Sequence, residues 1–290
     1  MIHRTKRISE FMVPRLFDVT LRDGIQAASP LIYTTDFKKQ MFKKLIETRH
    51  PNAVEIGSIV SPKVLPIMGD SMEMHKYAKQ YLDEKGLERY IPLYMLIPSF
   101  NQLHVALKGG VENFSFITSI SEKFQHKNTR KTLAETKHEL ASINEAIQII
   151  NPYFGTKLYI SCINHCPIDG KQRNNLIAHE VYHYFYKYHF GELCMSDTCG
   201  MLSFADYKEI LDSILKMGVP ADKLSLHLHV EEDNRADIRR IVDYSLAHDV
   251  NKFDVSELAT GGCSVTMEKN KCNPNMSYEC IQQIIKNYMR

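Results

Sequence analysis

Eight short apolar, β-rich runs recur along the chain, each followed by a longer stretch whose apolar residues return at helical spacing. The strand-like runs are 16–21, 53–60, 90–97, 113–120, 157–163, 192–196, 224–230 and 252–258. Helical spacing occupies roughly 35–48, 71–83, 101–108, 129–150, 174–190, 203–216, 234–248 and 277–288. Near-continuous apolar strands separated by helices imply a parallel sheet buried on both faces. Eight such units close most simply into a (β/α)8 TIM barrel, and a doubly wound open sheet is the competing architecture. No Gly/Ser/Pro-rich linker, charge block or short repeat interrupts the pattern. It predicts one domain over residues 1–290, with the barrel core at about 16–280.

Composition narrows the class further. At 44% hydrophobic and 24% charged residues the chain is globular, and a net charge of +2 gives no reason to expect a nucleic-acid or anionic-membrane partner. No apolar run approaches the roughly 20 residues that span a bilayer. The basic stretch with Arg4, Lys6 and Arg7 is interrupted by Glu10 and followed by no apolar segment of a secretory signal. Seven scattered cysteines fit a reducing compartment, so a soluble cytoplasmic protein is expected. Neither a G-x-G-x-x-G nor a Walker sequence occurs, and Gly109-Gly110 reads as a helix-end turn.

Barrel chemistry sits at the C-terminal ends of strands, and here those ends carry residues that packing does not require. The first run ends in Arg22-Asp23-Gly24, the fifth in Ser161-Cys162-Ile163-Asn164-His165-Cys166, the sixth in Asp197-Thr198-Cys199-Gly200, and the eighth reaches Gly261-Gly262-Cys263. Glu55 interrupts the apolar second run. The seventh contains Leu226-His227-Leu228-His229. Residues two apart on a strand face the same way, so His227 and His229 project together while Leu226 and Leu228 face the helices. Two imidazoles with a carboxylate from another strand end, Asp23 by choice, make a mixed nitrogen–oxygen metal site. The plainer alternative is a pair of hydrogen-bonded core histidines. Cys162 and Cys166 lack the second pair of a structural zinc site and are expected to shape the loop after the fifth strand.

A second pattern points elsewhere. His179-Glu180-Val181-Tyr182-His183 matches H-E-x-x-H, with His189 at third-ligand spacing, which would make a zinc hydrolase with Glu180 as general base. The extended motif needs glycine where this chain has Tyr186, and the run reads as an outer amphipathic helix. Its aromatic stretch, Tyr182 to Phe190, is expected to pack toward the barrel.

Asp18-Val19-Thr20-Leu21-Arg22-Asp23-Gly24-Ile25-Gln26 resembles the first-strand signature of the metal-dependent lyase and Claisen-synthase barrels. Val54-Glu55-Ile56-Gly57-Ser58-Ile59-Val60-Ser61-Pro62-Lys63, Met68-Gly69-Asp70, Tyr159-Ile160-Ser161-Cys162 with Cys166-Pro167, Asp197-Thr198 with Gly200, and Gly261-Gly262-Cys263 resemble 3-hydroxy-3-methylglutaryl-CoA lyase in particular. The likeness runs in order from about residue 16 to 280. Departures are Leu21 for the lyases' usual proline, Ile56-Gly57 after Glu55, Val230-Glu231-Glu232 after His229, and Ser264 after Cys263. The Thr-Leu-Arg-Asp form is shared with the condensing synthases.

The resemblance implies cleavage of 3-hydroxy-3-methylglutaryl-CoA, or a similar 3-hydroxyacyl-CoA, to acetyl-CoA and acetoacetate. It implies Mg2+ or Mn2+ bound by Asp23, His227, His229 and an asparagine that could be Asn270, Asn273 or Asn275, with Asn275 favoured by the residues after it. Arg22 would stabilise charge on the thioester oxygen. Glu55 and Asp197 would hold Arg22 and the ligands or relay a proton, Cys263 would protonate the product enolate, and Tyr159 and Gln26 would contact substrate. A Claisen-type synthase acting on a 2-oxo acid and a catalytically idle metal-binding barrel are the other readings, and a homodimer is compatible with all three.

Overall fold

Side chains that alternate along the strands divide the molecule into an apolar outer layer and a polar interior. In a computed structural model that describes residues 13–260 and 273–289, eight parallel strands form a closed barrel. They are β1 (Arg15–Asp18), β2 (Ala53–Ser58), β3 (Leu93–Leu96), β4 (Asn113–Ser119), β5 (Gly155–Ser161), β8 (Glu192–Ser196), β9 (Leu224–His227) and β10 (Lys252–Val255). A small antiparallel hairpin, β6 (His165–Cys166) and β7 (Gly170–Lys171), follows β5. The ring order is β1-β10-β9-β8-β5-β4-β3-β2, so the first strand closes the barrel by pairing with both the second and the last.

Val54, Ile56, Leu158, Ile160, Leu224 and Leu226 point outward into one continuous apolar cluster with the helices. The helices are α1 (Thr35–Thr48), α2 (Ser71–Glu84), α3 (Phe100–Lys108), α4 (Glu122–Thr129), α5 (Leu133–Ile150), α6 (Asn174–Lys187), α7 (Phe204–Lys216), α8 (Arg235–Ala247) and α9 (Tyr278–Tyr288). The intervening strand residues meet inside the ring. There Tyr159 of β5 donates to Glu55 of β2 at 3.1 Å, and Lys157 of β5 reaches Asp254 of β10 at 2.5 Å. None of the described helices is long and apolar enough to cross a membrane.

Four expected elements change shape. The first run leaves the sheet after Asp18, because residues Thr20–Gly24 wind into a single π-helical turn that returns the Gly24 N–H to the Val19 carbonyl at 3.0 Å. The seventh stops at His227, and His229 instead joins an isolated bridge with Asn275. The helix expected over 129–150 is two helices. α4 ends on Arg130 in the left-handed region (φ 62°), and α5 restarts from a capping box in which the Thr132 hydroxyl accepts from the Glu135 N–H while the Glu135 carboxylate accepts from the Thr132 N–H. α6 stops at Lys187, and the extended chain beyond it buries Tyr188 and Phe190 against the barrel.

Gly57 marks where β2 is tightest. A register shift between Glu55 and Gly57 bends the strand there, and a Cβ on Gly57 would stand 2.9 Å from the Cβ of Ser71. The Ser71 hydroxyl cannot swing away freely, since it accepts from the Ser58 N–H at 3.1 Å and donates to the Met68 carbonyl at 2.8 Å. Gly57→Ala is therefore expected to cost about 1–3 kcal/mol, the range for overpacking a tight site, read as a lower urea midpoint at unchanged slope. An unchanged midpoint would show that α2 yields without cost.

Candidate active site at the mouth of the barrel

The π-helical turn after β1 aims two adjacent charged side chains over the barrel axis. Arg22 is buried, with its Nε donating to Glu55 Oε2 at 2.5 Å, one terminal nitrogen donating to Asp23 Oδ1 at 2.6 Å, and its guanidinium carbon 4.9 Å from the Tyr159 ring centre. Glu55, fully buried, also accepts from the Ser115 hydroxyl and from Tyr159. Burial opposes a charge on Arg22, but the Glu55 and Asp23 carboxylates more than offset it and hold the guanidinium firmly protonated. Burial, then the neighbouring Asp254 and Glu55 carboxylates, push the Tyr159 hydroxyl up, so it acts as a donor.

On the other side of Asp23 the two histidines of β9 and its exit project together, their ring centres 5.0 Å apart. Among the described residues, Asp23, His227 and His229 are the histidine, cysteine and acidic side chains that converge as a possible metal cluster, with one ligand atom each inside 4.8 Å of the others. Asn275 arrives through the bridge to His229 and donates its amide to Asp23 Oδ2 at 2.9 Å. Among the described residues, two buried polar atoms here have no hydrogen-bond partner, His229 Nε2 and Asn275 Oδ1. Orphaned acceptors in a buried polar site call for an occupant, and with the Asp23 carboxylate they offer the mixed N/O donor set of a divalent cation. Burial and the neighbouring His227 lower the His229 pKa to about 4, leaving the ring neutral. Its Nδ1 faces the main-chain carbonyl of Asp197 at 2.7 Å, the hydrogen bond that directs Nε2 toward Asp23.

A cavity of about 680 Å³ opens above this floor, lined by Arg22, Asp23, Gln26, Tyr159, His227 and His229. Glu55 and Asp197, two other candidates, do not line it. The Asp197 carboxylate instead accepts from the Met201 and Leu202 N–H groups at 3.1 and 3.0 Å and fixes the loop before α7, while burial raises its pKa to about 6. Asn273 turns away to the Cys199 carbonyl at 3.2 Å. Gly261, Gly262, Cys263 and Asn270 lie outside the described residues. The sequence reading missed the far wall, where Phe124, His126, Lys127, Asn128, Thr129 and Arg130 line the cavity from the end of α4. Ser121, whose hydroxyl caps Phe124 at 3.1 Å, and the T-x-x-E box at Thr132 were the available signals. Behind that wall Cys162 and Cys166 pack on Phe124, and the Cys166 sulfur accepts the Ile168 and Asp169 N–H groups, both at 3.3 Å, inside the hairpin turn.

Residues 13–235 match the family model described as HMGL-like. The chain belongs to the HMGL-like family. Among curated HMGL-like relatives, hydroxymethylglutaryl-CoA lyase YngG of Bacillus subtilis is 28% identical over 85% of this chain and 77% of its own length. The mitochondrial hydroxymethylglutaryl-CoA lyase of Macaca fascicularis is also 28% identical, over 86% of this chain and 72% of its own. An HMG-CoA lyase from Acinetobacter baumannii, solved in complex with coenzyme A and 3-methylmalate, superposes with a TM-score of 0.80 at 21% identity, covering 96% of this chain and 85% of that one. At that identity the superposition speaks for the fold.

The H-E-x-x-H segment sits on the outside of this HMGL-like barrel, where α6 packs against α7. Its Glu180 pairs with Lys137 of α5 at 2.7 Å, His179 is exposed, and His183 rests its ring against Tyr184 and Tyr188. Among the described residues, His179, His183 and His189 do not bring their ring nitrogens together as a ligand set, so the zinc-hydrolase alternative fails on geometry. His179→Ala with His183→Ala is expected to leave metal content unchanged and turnover within a few-fold of the parent; loss of bound metal in that double variant would contradict this.

Proposed function

We propose that the protein is a divalent-metal-dependent carbon–carbon lyase that cleaves 3-hydroxy-3-methylglutaryl-CoA, or a close 3-hydroxyacyl-CoA, to acetyl-CoA and acetoacetate. The observation that carries the reading is the meeting of Arg22 with the Asp23, His227, His229 and Asn275 donors on one cavity floor. Family membership and the lyase relatives support the same choice of chemistry.

Asp23, His227, His229 and Asn275 would hold the cation, and two oxygen donors beside two imidazoles suit Mg2+ or Mn2+. When bound, such an ion would hold a substrate hydroxyl and acidify it, so that a base of the site or cavity water takes its proton as the carbon–carbon bond breaks. Arg22, fixed by Glu55 before substrate arrives, stabilises the charge that develops on the thioester oxygen as the carbon–carbon bond breaks. Glu55 acts here as a positioning residue. Tyr159 and Gln26 contact the acyl group from the cavity wall. Lys127 and Arg130 on the rim supply positive charge for the phosphates of an acyl-CoA. Cys263 is assigned the proton delivered to the enolate carbon, on its Gly-Gly-Cys sequence and on a thiol's ordinary pKa of about 8.5.

The deciding assay incubates the protein with Mg2+ and 3-hydroxy-3-methylglutaryl-CoA and measures acetoacetate. Its formation supports the lyase. Release of free CoA only when a 2-oxo acid is supplied with acetyl-CoA would move the assignment to a condensing synthase, the activity that shares the Thr20-Leu21-Arg22-Asp23 form. Neither product would leave a metal-binding barrel without this chemistry.

A further inference from the structure

A ladder of buried charges runs up the inside of the barrel and ends on a histidine of the site. Lys157 is fully buried, an unusual place for an ammonium group. Its Nζ reaches Asp254 Oδ1 at 2.5 Å and Glu192 Oε1 at 2.8 Å, and lies 3.8 Å from the centre of the Phe17 ring. Glu192 is held from below by Lys252 at 3.3 Å. Asp254 is thereby shared among three neighbours. One oxygen belongs to Lys157, and the other faces His227 Nδ1 at 3.1 Å and the Cys194 sulfur at 3.7 Å. On its far side His227 presents Nε2 to Asp23 Oδ2 at 3.8 Å.

We infer that Lys157 and Asp254 are positioning residues that fix the ring tautomer of His227, keeping the proton on Nδ1 and the lone pair of Nε2 turned to the site. The inference rests on the metal-dependent reading above. A neutral imidazole carries one N–H, and the partner of one nitrogen decides what the other can do. A carboxylate can only accept, so Asp254 requires the proton at Nδ1 and frees Nε2 as a ligand. Lys157 decides which way Asp254 can face. Its N–H groups claim one oxygen and leave the other for the histidine. Stability alone does not account for the arrangement, because a buried ion pair contributes little over an apolar filling of the same volume. The two histidines are thus held alike but by different means: His229 by a main-chain carbonyl, His227 by a side chain that is itself held.

The lysine makes the consequence of an isosteric change specific. In Asp254→Asn, Lys157 still demands an acceptor and takes the amide oxygen, so the NH2 group faces His227 Nδ1. That nitrogen must then accept, and the proton moves to Nε2, where it blocks the ligand position. The same logic applies where an aspartate orients a catalytic histidine. Adding Lys157→Met removes the demand, and the amide can turn its oxygen back to Nδ1–H. Glu192 keeps Lys252 as a partner in that variant.

The experiment uses protein labelled with 15N-histidine, with ring-nitrogen shifts read in the metal-free state and Mn2+ affinity measured by calorimetry without substrate. The parent is expected to carry the His227 proton on Nδ1. Asp254→Asn should move it to Nε2 and weaken Mn2+ binding about 10–100-fold, the usual scale for an outer partner of a ligating histidine. Lys157→Met/Asp254→Asn should regain about tenfold or more of that affinity, a rescue that loss of packing would not produce. The inference is overturned if the parent ring is protonated at Nε2, if Asp254→Asn changes neither spectrum nor affinity, or if the double variant binds no better than the single one. Should Asp254→Asn fail to fold, the parent spectrum still decides. A parent that takes up neither Mn2+ nor Mg2+ would defeat the metal-dependent reading, and the tautomer would remain measurable on its own.

Discussion

His227→Ala is expected to eliminate measurable binding of Mg2+ or Mn2+ and to reduce acetoacetate formation to background, with the barrel still folded. His227 stands at the end of β9 with one face on the barrel interior and one on the cavity, so its removal opens space that water can fill. Outer partners of metal ligands are worth roughly 10–100-fold in affinity, and a ligand that contributes an electron pair directly should exceed that. Asp23→Asn tests the same cluster from the opposite side, keeping the shape while withdrawing the negative charge that a divalent cation needs most. Calorimetric titration with Mn2+ beside far-ultraviolet circular dichroism separates lost binding from lost folding. Parental metal affinity in both variants would remove the cluster from the mechanism.

Arg22→Met should cost turnover about 1000-fold or more, since one preorganised donor to a developing oxyanion is worth roughly 10²–10³ in rate and Arg22 also carries full charge. It should cost stability as well. With the guanidinium gone, Glu55 keeps, among the described residues, the Ser115 and Tyr159 hydroxyls as partners in a buried position, and breaking a buried pair on one side costs about 3–5 kcal/mol. The double variant Arg22→Met/Glu55→Gln removes the stranded charge. Its urea midpoint should recover toward the parent while its turnover stays low. Recovery of both would reduce Arg22 to a structural role.

These residues were visible in the sequence because their chemistry conflicts with their position. A glutamate inside an apolar strand and two histidines at period two are costly unless something uses them, and the β period alone places them on one face. The eight-unit barrel was legible for a related reason: the outward-facing strand residues are apolar, so β-rich runs stand out between amphipathic helices even though many inward-facing residues are polar. What stayed hidden depends on local backbone conformation. Nothing in the apolar pattern announces that Arg22 and Asp23 leave the sheet on a π-helical turn, or that Arg130 breaks a helix by taking a left-handed φ. Asp254 and Lys157 were passed over because an interior ion pair is defined by two strands, and no window along one strand contains it. Asp197 was read for its carboxylate, whereas its main-chain carbonyl holds His229.

The bond between Asn275 and Asp23 joins residues 252 positions apart, and Tyr278 likewise donates to Asp18 at 2.8 Å across 260 positions. A nascent chain emerging from the ribosome would therefore carry Asp23 for most of its synthesis before its distant partner Asn275 exists. Until β10 leaves the exit tunnel β1 lacks one of its two sheet neighbours, and until the segment before α9 follows, an ion captured early would lack the proposed Asn275 donor. Ring closure across such sequence distances is slow, because the entropy of the intervening loop is lost before the contact forms. An ion that binds only the closed form pulls that last equilibrium forward. If Asp23 and Asn275 hold a cation as proposed, its uptake would favour the completed ring without being required for it.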